Sequence, residues 1–220
     1  MLECKLCGKK FTKLAKSHIT PLGFFTGVES KAVLRSVGQS GGRKLQSAIY
    51  DREILCRTCE KDIMGPLDDY GIKIYRDKEN ARKVKFKNGK ASVHIWDNID
   101  SRKIRAFIAS ILWRISVSKQ KEINGVTIGH ANVRKIKNDL RRKNASFEYI
   151  DSVACFLTNK VHQGFFVPYR RKFHPRDLRR DKVSSKGMVI AFPNIVIFAS
   201  FGIRRHPYRG DVVKHFGTQS

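Results

Sequence analysis

Between residues 104 and 115 the apolar side chains recur at helical spacing. Ile104, Phe107, Ile108, Ile111, Leu112 and Ile115 fall on one face, and Arg102, Lys103, Arg105 and Arg114 are largely available to the opposite one. This pattern predicts an amphipathic helix with Asp100 or Ser101 as its N-cap, and makes it the organising core element of the later part of the chain. A second helix is predicted over 131–142, with Val133, Ile136 and Leu140 turned inward. Strand-like alternation marks residues 72–75, and residues 84–95 read as a hairpin around Asn88-Gly89, a pair suited to positive backbone φ. Residues 188–192 and 195–199 read as two buried strands joined around Pro193-Asn194. Upstream the periodicity is weaker. An extended stretch is expected at residues 17–19, because Pro21 biases Thr20 away from helix, and a short helix is expected from Cys59 to Met64, ended by Gly65-Pro66. Mixed elements of this kind indicate an α+β chain.

Cysteine spacing changes the picture of the first seventy residues. Cys4/Cys7 and Cys56/Cys59 are two Cys-x-x-Cys pairs, and two intervening residues let a tight turn aim both thiolates at one ion. Together they predict a closed tetrahedral structural zinc site. The chain is therefore expected to divide into a zinc module at 1–70 and a basic α+β domain at 71–220. Cys155, alone in an apolar run, reads as a small core residue, and the glycine-rich stretch at 36–43 reads as a flexible loop rather than a phosphate cradle.

Charge then narrows the partner. Forty-five Lys and Arg against nineteen Asp and Glu give a formal charge of +26 over 220 residues, which points to a polyanion, nucleic acid above all. A membrane is not expected: there is no apolar leader, and the longest apolar run, 187–203, is interrupted by Pro193. With no secretion signal visible and zinc-type cysteine spacing, a cytoplasmic location is expected. Two segments concentrate the cations. The second helix carries Arg134, Lys135, Lys137, Arg141 and Arg142 with only Asp139 to offset them, and residues 168–182 carry Arg170, Arg171, Lys172, Arg176, Arg179 and Arg180 among Tyr169 and Phe173. Both are expected to contact phosphates. An acidic protein surface is the other partner compatible with this charge.

Within the cysteine frame stand Ser17-His18-Ile19-Thr20-Pro21, Asp51 five residues before Cys56, and Glu60 directly after Cys59. This arrangement resembles the zinc-ribbon HNH endonucleases over residues 4 to about 64. The resemblance implies a treble-clef or ββα-metal fold between the two knuckles, with His18 as the general base. In that family an acidic metal ligand precedes the histidine, an asparagine stands before the third cysteine, and a histidine follows the fourth. Here Ser17, Asp51 and Glu60 occupy those places. Glu60 suits Mg²⁺ or Mn²⁺, since hard cations prefer carboxylate oxygen, and Asp51 could orient His18 or join the metal shell. A broader resemblance, to a divergent bacterial and phage group labelled HNH-like, rests on the Ser-His and Cys-Glu pairs, on Leu67-Asp68-Asp69-Tyr70, and on the run from Phe107 to Trp113-Arg114.

The function this implies is a metal-dependent nuclease acting on phosphodiesters, DNA favoured over RNA, with His18, Asp51 and Glu60 catalytic and zinc structural. The alternative is a non-catalytic nucleic-acid-binding or regulatory subunit, in which His18 satisfies a buried hydrogen bond and the module is a rigid zinc clip.

Overall fold

The computed structural model of the chain describes residues 1–25, 33–35, 42–44, 48–76, 82–85, 92–95, 99–121, 123, 126–156, 165–173, 185–192 and 195–201. It is a mixed α+β structure of helices, one larger sheet and three two-stranded pairs. At the N-terminus β1 (Leu2–Glu3) pairs antiparallel with β2 (Lys10–Phe11) around the first cysteine turn. Next β3 (Ser17–His18) pairs antiparallel with β6 (Tyr50–Asp51), setting Ser17 opposite Asp51 and His18 opposite Tyr50. The chain between them contributes β4 (Val33–Arg35) and β5 (Gly42–Lys44) to a distant sheet. That sheet has the order β5-β4-β10-β11-β12-β9, with β9 at Ile150–Phe156, β10 at Phe165–Phe173, β11 at Ser185–Phe192 and β12 at Ile195–Phe201. All its pairings are antiparallel except β10 with β4.

After β6 the second cysteine turn starts a helix that does not stop where the sequence suggested. Short α1 (Arg57–Cys59) runs into a π turn at Glu60–Met64, and α2 (Gly65–Arg76) continues from it. Gly65-Pro66 does not terminate the helix, because Gly65 N–H bonds back to the Glu60 carbonyl across the wide turn. Pro66 follows directly on the wide turn, where the hydrogen-bond register shifts and leaves one carbonyl without its usual α partner, so the missing N–H costs little. The strand expected at 72–75 is accordingly helix. Gly71 and Tyr75 are buried, one turn apart, and Ile72 is partly buried beside them. So short an apolar run fits either period.

The other expected helices and strands are present in outline; of the glycine-rich stretch at 36–43 only Gly42 and Arg43 are described, and they lie in β5 rather than in a loop, while the side chain of Cys155 lies outside what is described. Strands β7 (Arg82–Lys85) and β8 (Ser92–Ile95) form the hairpin, with the Asn88-Gly89 turn itself outside the described residues. Helix α3 (Ser101–Val117) starts at Asp100, whose Oδ1 accepts from the amides of Arg102 and Lys103. Helix α4 (His130–Leu140) buries Ile136 and Leu140.

What the sequence misrepresents is the sidedness of α3. From Ala106 to Ile115 every residue of it is buried, as suits a helix wrapped on all sides. Cys4, Cys56, Cys59, Ile19, Leu55, Met64, the buried apolar residues of α3 and the β11–β12 residues Met188, Ile190 and Ile197 belong to a single cluster of buried side chains, with Cys7 packed against it. The boundary expected near residue 70 falls inside α2, and β4 and β5 from the first seventy residues extend the sheet formed by the last seventy.

Candidate metal centre and the histidine cluster beside it

Two local turns build the cysteine cluster. In the first, Gly8 adopts φ +79, a left-handed conformation costly for other residues, and its N–H returns to the Cys4 carbonyl at 2.8 Å. In the second, Cys56 is the N-cap of α1, its sulfur accepting from Cys59 N–H at 3.5 Å. The turns are stitched together by Lys5 N–H to the Ile54 carbonyl at 2.9 Å and Cys56 N–H to Cys4 Sγ at 3.3 Å. All four sulfurs, from Cys4, Cys7, Cys56 and Cys59, lie within 4.8 Å of one another, with Cys7 and Cys56 at 4.0 Å. Tetrahedral zinc at about 2.3 Å from each sulfur needs separations of about 3.8 Å, a contraction of about 1 Å at most. Burial first, and then the neighbouring sulfurs, push the Cys59 thiol far above its ordinary value. A cation between the sulfurs removes that penalty, so the donor set fits a structural metal such as zinc.

Helix α3 is fastened to this centre at its C-terminal end. Lys5 Nζ donates to the Val117 carbonyl at 2.6 Å. Asp51, buried on β6, accepts from Ser118 Oγ at 2.6 Å and Lys119 N–H at 3.3 Å through one oxygen, and from Glu53 N–H at 2.8 Å through the other. Asp51 stands opposite Ser17, and the next residue along β3, His18, projects to the other face of this strand pair. Its carboxylate is therefore committed to the loop before Cys56 and to the end of α3, not to the imidazole.

His18 and Glu60 do come into one neighbourhood. Ser17 Oγ donates to Glu60 Oε2 at 2.6 Å, joining the residue before the histidine to the residue after the last cysteine. Among the described residues Glu60 Oε1 accepts no hydrogen bond. Burial raises the Glu60 carboxyl above its ordinary value against the pull of the Ser17 hydroxyl and of Arg114, while Asp68 adds to the rise. Burial, then Lys16 and Arg114, hold the His18 imidazole below its ordinary value, with Asp68 opposing them. The ring is thus kept neutral at neutral pH.

Arg114 and Asp68 were not singled out as site residues from sequence. Arg114 is fully buried, correcting its expected place on an outer face. Its Nη1 donates to the His18 carbonyl at 2.7 Å and to Asp68 Oδ2 at 2.8 Å; Nη2 donates to Asp68 Oδ1 at 2.5 Å and to Ser110 Oγ at 3.1 Å. One guanidinium therefore binds β3, α2 and α3 together through a bidentate ion pair. A lone cation in the uncharged run from Ala106 to Val117 was the available signal, since a buried charge must find a partner.

Tyr50, opposite His18, meets its ring edge-on at 6.4 Å between centroids. Lys16 Nζ lies 4.2 Å and Arg52 Cζ 5.4 Å from the Tyr50 ring centroid.

Of the basic residues expected to contact phosphates, Arg134, Lys135, Arg141 and Arg142 are exposed and Lys137 is partly buried on or beside α4. Lys135 and Arg142 reach Asp139 at 3.4 and 3.9 Å, so part of that charge is already balanced. Arg170, Arg171 and Lys172 lie on β10 in register with Met188, Gly187 and Lys186 of β11. Arg176, Arg179 and Arg180 lie outside the described residues. No described helix is long and apolar enough to cross a membrane. Among the described residues the four cysteines are the only group of three or more His, Cys, Asp or Glu gathered closely enough to hold an ion. Comparison with models of known protein families, with curated proteins and with solved structures found no match in any of the three.

Proposed function

We propose that the chain is an HNH-like nuclease in which zinc on Cys4, Cys7, Cys56 and Cys59 clips a ββα unit, and His18 activates water for attack on a phosphodiester. The observation that carries this reading is the Ser17–Glu60 bond at 2.6 Å, which brings the carboxylate at the start of the helix to the strand that bears His18. Strand β3, strand β6 and the helix begun at Cys56 supply the two strands and one helix of a ββα-metal unit. The depressed imidazole suits a base that must be unprotonated to act. Glu60 Oε1 is a hard oxygen donor, and Mg²⁺ commonly takes one or two carboxylates, completing its shell with phosphate oxygens and water. A cation held there would polarise the phosphate and steady the leaving oxygen. The formal charge of +26 supports a nucleic-acid substrate. Asp51 acts in this reading as the brace of the loop.

A second reading is favoured by the same contact, because Ser17 supplies a hydroxyl where a metal-binding nuclease uses an acid. In that reading the cluster is a structural knot and the chain binds nucleic acid without cutting it. The deciding experiment incubates zinc-loaded protein with supercoiled, linear and single-stranded DNA in Mg²⁺ or Mn²⁺. Cleavage that falls by about two to four orders of magnitude in His18→Ala, with zinc content unchanged, upholds the nuclease. Tight binding without cleavage under any of these conditions establishes the binding module.

A further inference from the structure

We propose that Lys16, Tyr50 and Arg52 form a phosphate-gripping platform that seats a nucleic-acid backbone against His18. This rests on the preceding reading that His18 acts on a phosphodiester, and it names the residues that would hold that substrate.

Three observations converge on it. The first is position: β3–β6 pairing sets Tyr50 directly opposite His18, with their rings in edge contact, and Lys16 and Arg52 lie one residue beyond the strand ends at Ser17 and Asp51, each two residues along the chain from a member of this pair. The second is restraint. Both cations approach the face of the Tyr50 ring, which draws positive charge to its negative π surface and narrows where two long side chains can go. The third is unspent charge. Lys16 and Arg52 are exposed, and among the described residues neither has a carboxylate within ion-pair distance. Elsewhere the contrast is plain, for Arg114 is matched by Asp68, and Lys135 and Arg142 share Asp139.

Two unpaired cations held on an aromatic ring suit a phosphodiester. Arg52 can offer its planar fork to two phosphate oxygens and Lys16 a point charge to another. Contact with the Tyr50 ring keeps both cations in the neighbourhood of His18 despite their mutual repulsion. Lys16 also helps to keep the imidazole neutral, so the residue that would draw in the anion favours the base in its active form. None of these residues lies on α4 or β10, where the basic segments of the sequence drew attention.

The test measures binding by full-length, zinc-loaded protein of a fluorescent 20-base-pair DNA duplex, by anisotropy across salt concentrations and without Mg²⁺ or Mn²⁺. Lys16→Gln with Arg52→Gln should weaken binding by about 10–30-fold near physiological salt and flatten the log K against log salt slope by about two. The comparison pair is Lys9→Gln with Lys10→Gln, which removes the same charge from the exposed first cysteine turn. A loss for Lys16/Arg52 well above that for Lys9/Lys10, with Tyr50→Ala also weakened and zinc content normal, upholds the platform. Equal losses for the two pairs, or an unchanged slope for Lys16/Arg52, overturn it. Because no cleavage is read, the two proposals separate. A wild type that never cuts, yet depends on Lys16 and Arg52 to bind, keeps the platform and removes the catalytic role of His18. A cutting enzyme indifferent to both cations does the reverse.

Discussion

Gly71 of α2 and Phe107 of α3 pack so closely that a Cβ on the glycine would stand 2.6 Å from three ring atoms of the phenylalanine. No real side chain tolerates that approach, so backbone and ring touch here because nothing else fits between the helices. Gly71→Ala should therefore destabilise by about 1–3 kcal/mol, even though alanine favours helix by about 1 kcal/mol over glycine. Urea unfolding would show it as a lower midpoint, and adding Phe107→Leu should recover part of the loss. A more stable Gly71→Ala protein would mean that the two helices are spaced differently.

Metal content gives the next prediction. Purified protein should hold one zinc per chain, and Cys56→Ser with Cys59→Ser should abolish it. Acid should release it too, because protons compete for thiolates. Elemental analysis after dialysis at successively lower pH would follow the release. Since Lys5 and Asp51 tie the cysteine turns to the end of α3, loss of the ion should also reduce helical circular dichroism rather than leave a folded remainder.

Arg114 and Asp68 act on His18 with opposite signs, which makes their variants informative. Asp68→Asn removes the group that raises the imidazole and leaves Arg114 unneutralised, so the His18 titration midpoint should fall. Arg114→Gln removes a group that lowers it and frees Asp68, so the midpoint should rise. Histidine ring NMR, with His18→Ala for assignment, would read both. Breaking a buried pair costs roughly 3–5 kcal/mol in either variant, so a general loosening would move both midpoints in one direction. Shifts of opposite sign would establish that the pair sets the state of the ring.

The depressed imidazole has its own consequence with pH. If His18 is the base, the acid limb of cleavage should have its midpoint below the ordinary value of 6.5, and Lys16→Gln should move that midpoint up. Stability should follow the same sign. The unfolded chain takes up the proton more readily, so the contribution of His18 is present above 6.5 and is lost as pH falls through the folded value. A midpoint at or above 6.5 would remove His18 as the titrating base.

Much of this was legible in the residue pattern. The cysteine pairs announced their cluster because two intervening residues let one tight turn aim both sulfurs the same way, and Asp100 with the apolar period announced α3. Arg114 was not legible. The outward assignment came from treating α3 as one-sided, whereas α2, the cysteine module and the strands cover it all round, and its acid partner is 46 residues away. Asp51 misled for a similar reason: its position suggested a partner for His18, but pairing it with Ser17 turns it from the ring toward Ser118. Neither arrangement has a sequence period, because each is a meeting of elements distant along the chain.

The wide turn at Glu60–Met64 can be understood as an angular setting. Each residue of a helix advances the azimuth by about 100°, and a π turn inserts one residue beyond the α pitch. Everything after Glu60 is thereby rotated relative to the cysteines before it. Deleting one residue among 61–63 would let the turn close as plain α and leave Asp68 near Arg114, whereas forcing the α pitch with every residue kept would swing Asp68 by about a quarter turn away from it. The cysteine cluster upstream and the ion pair downstream are held in phase by the wide turn that takes up that one additional residue.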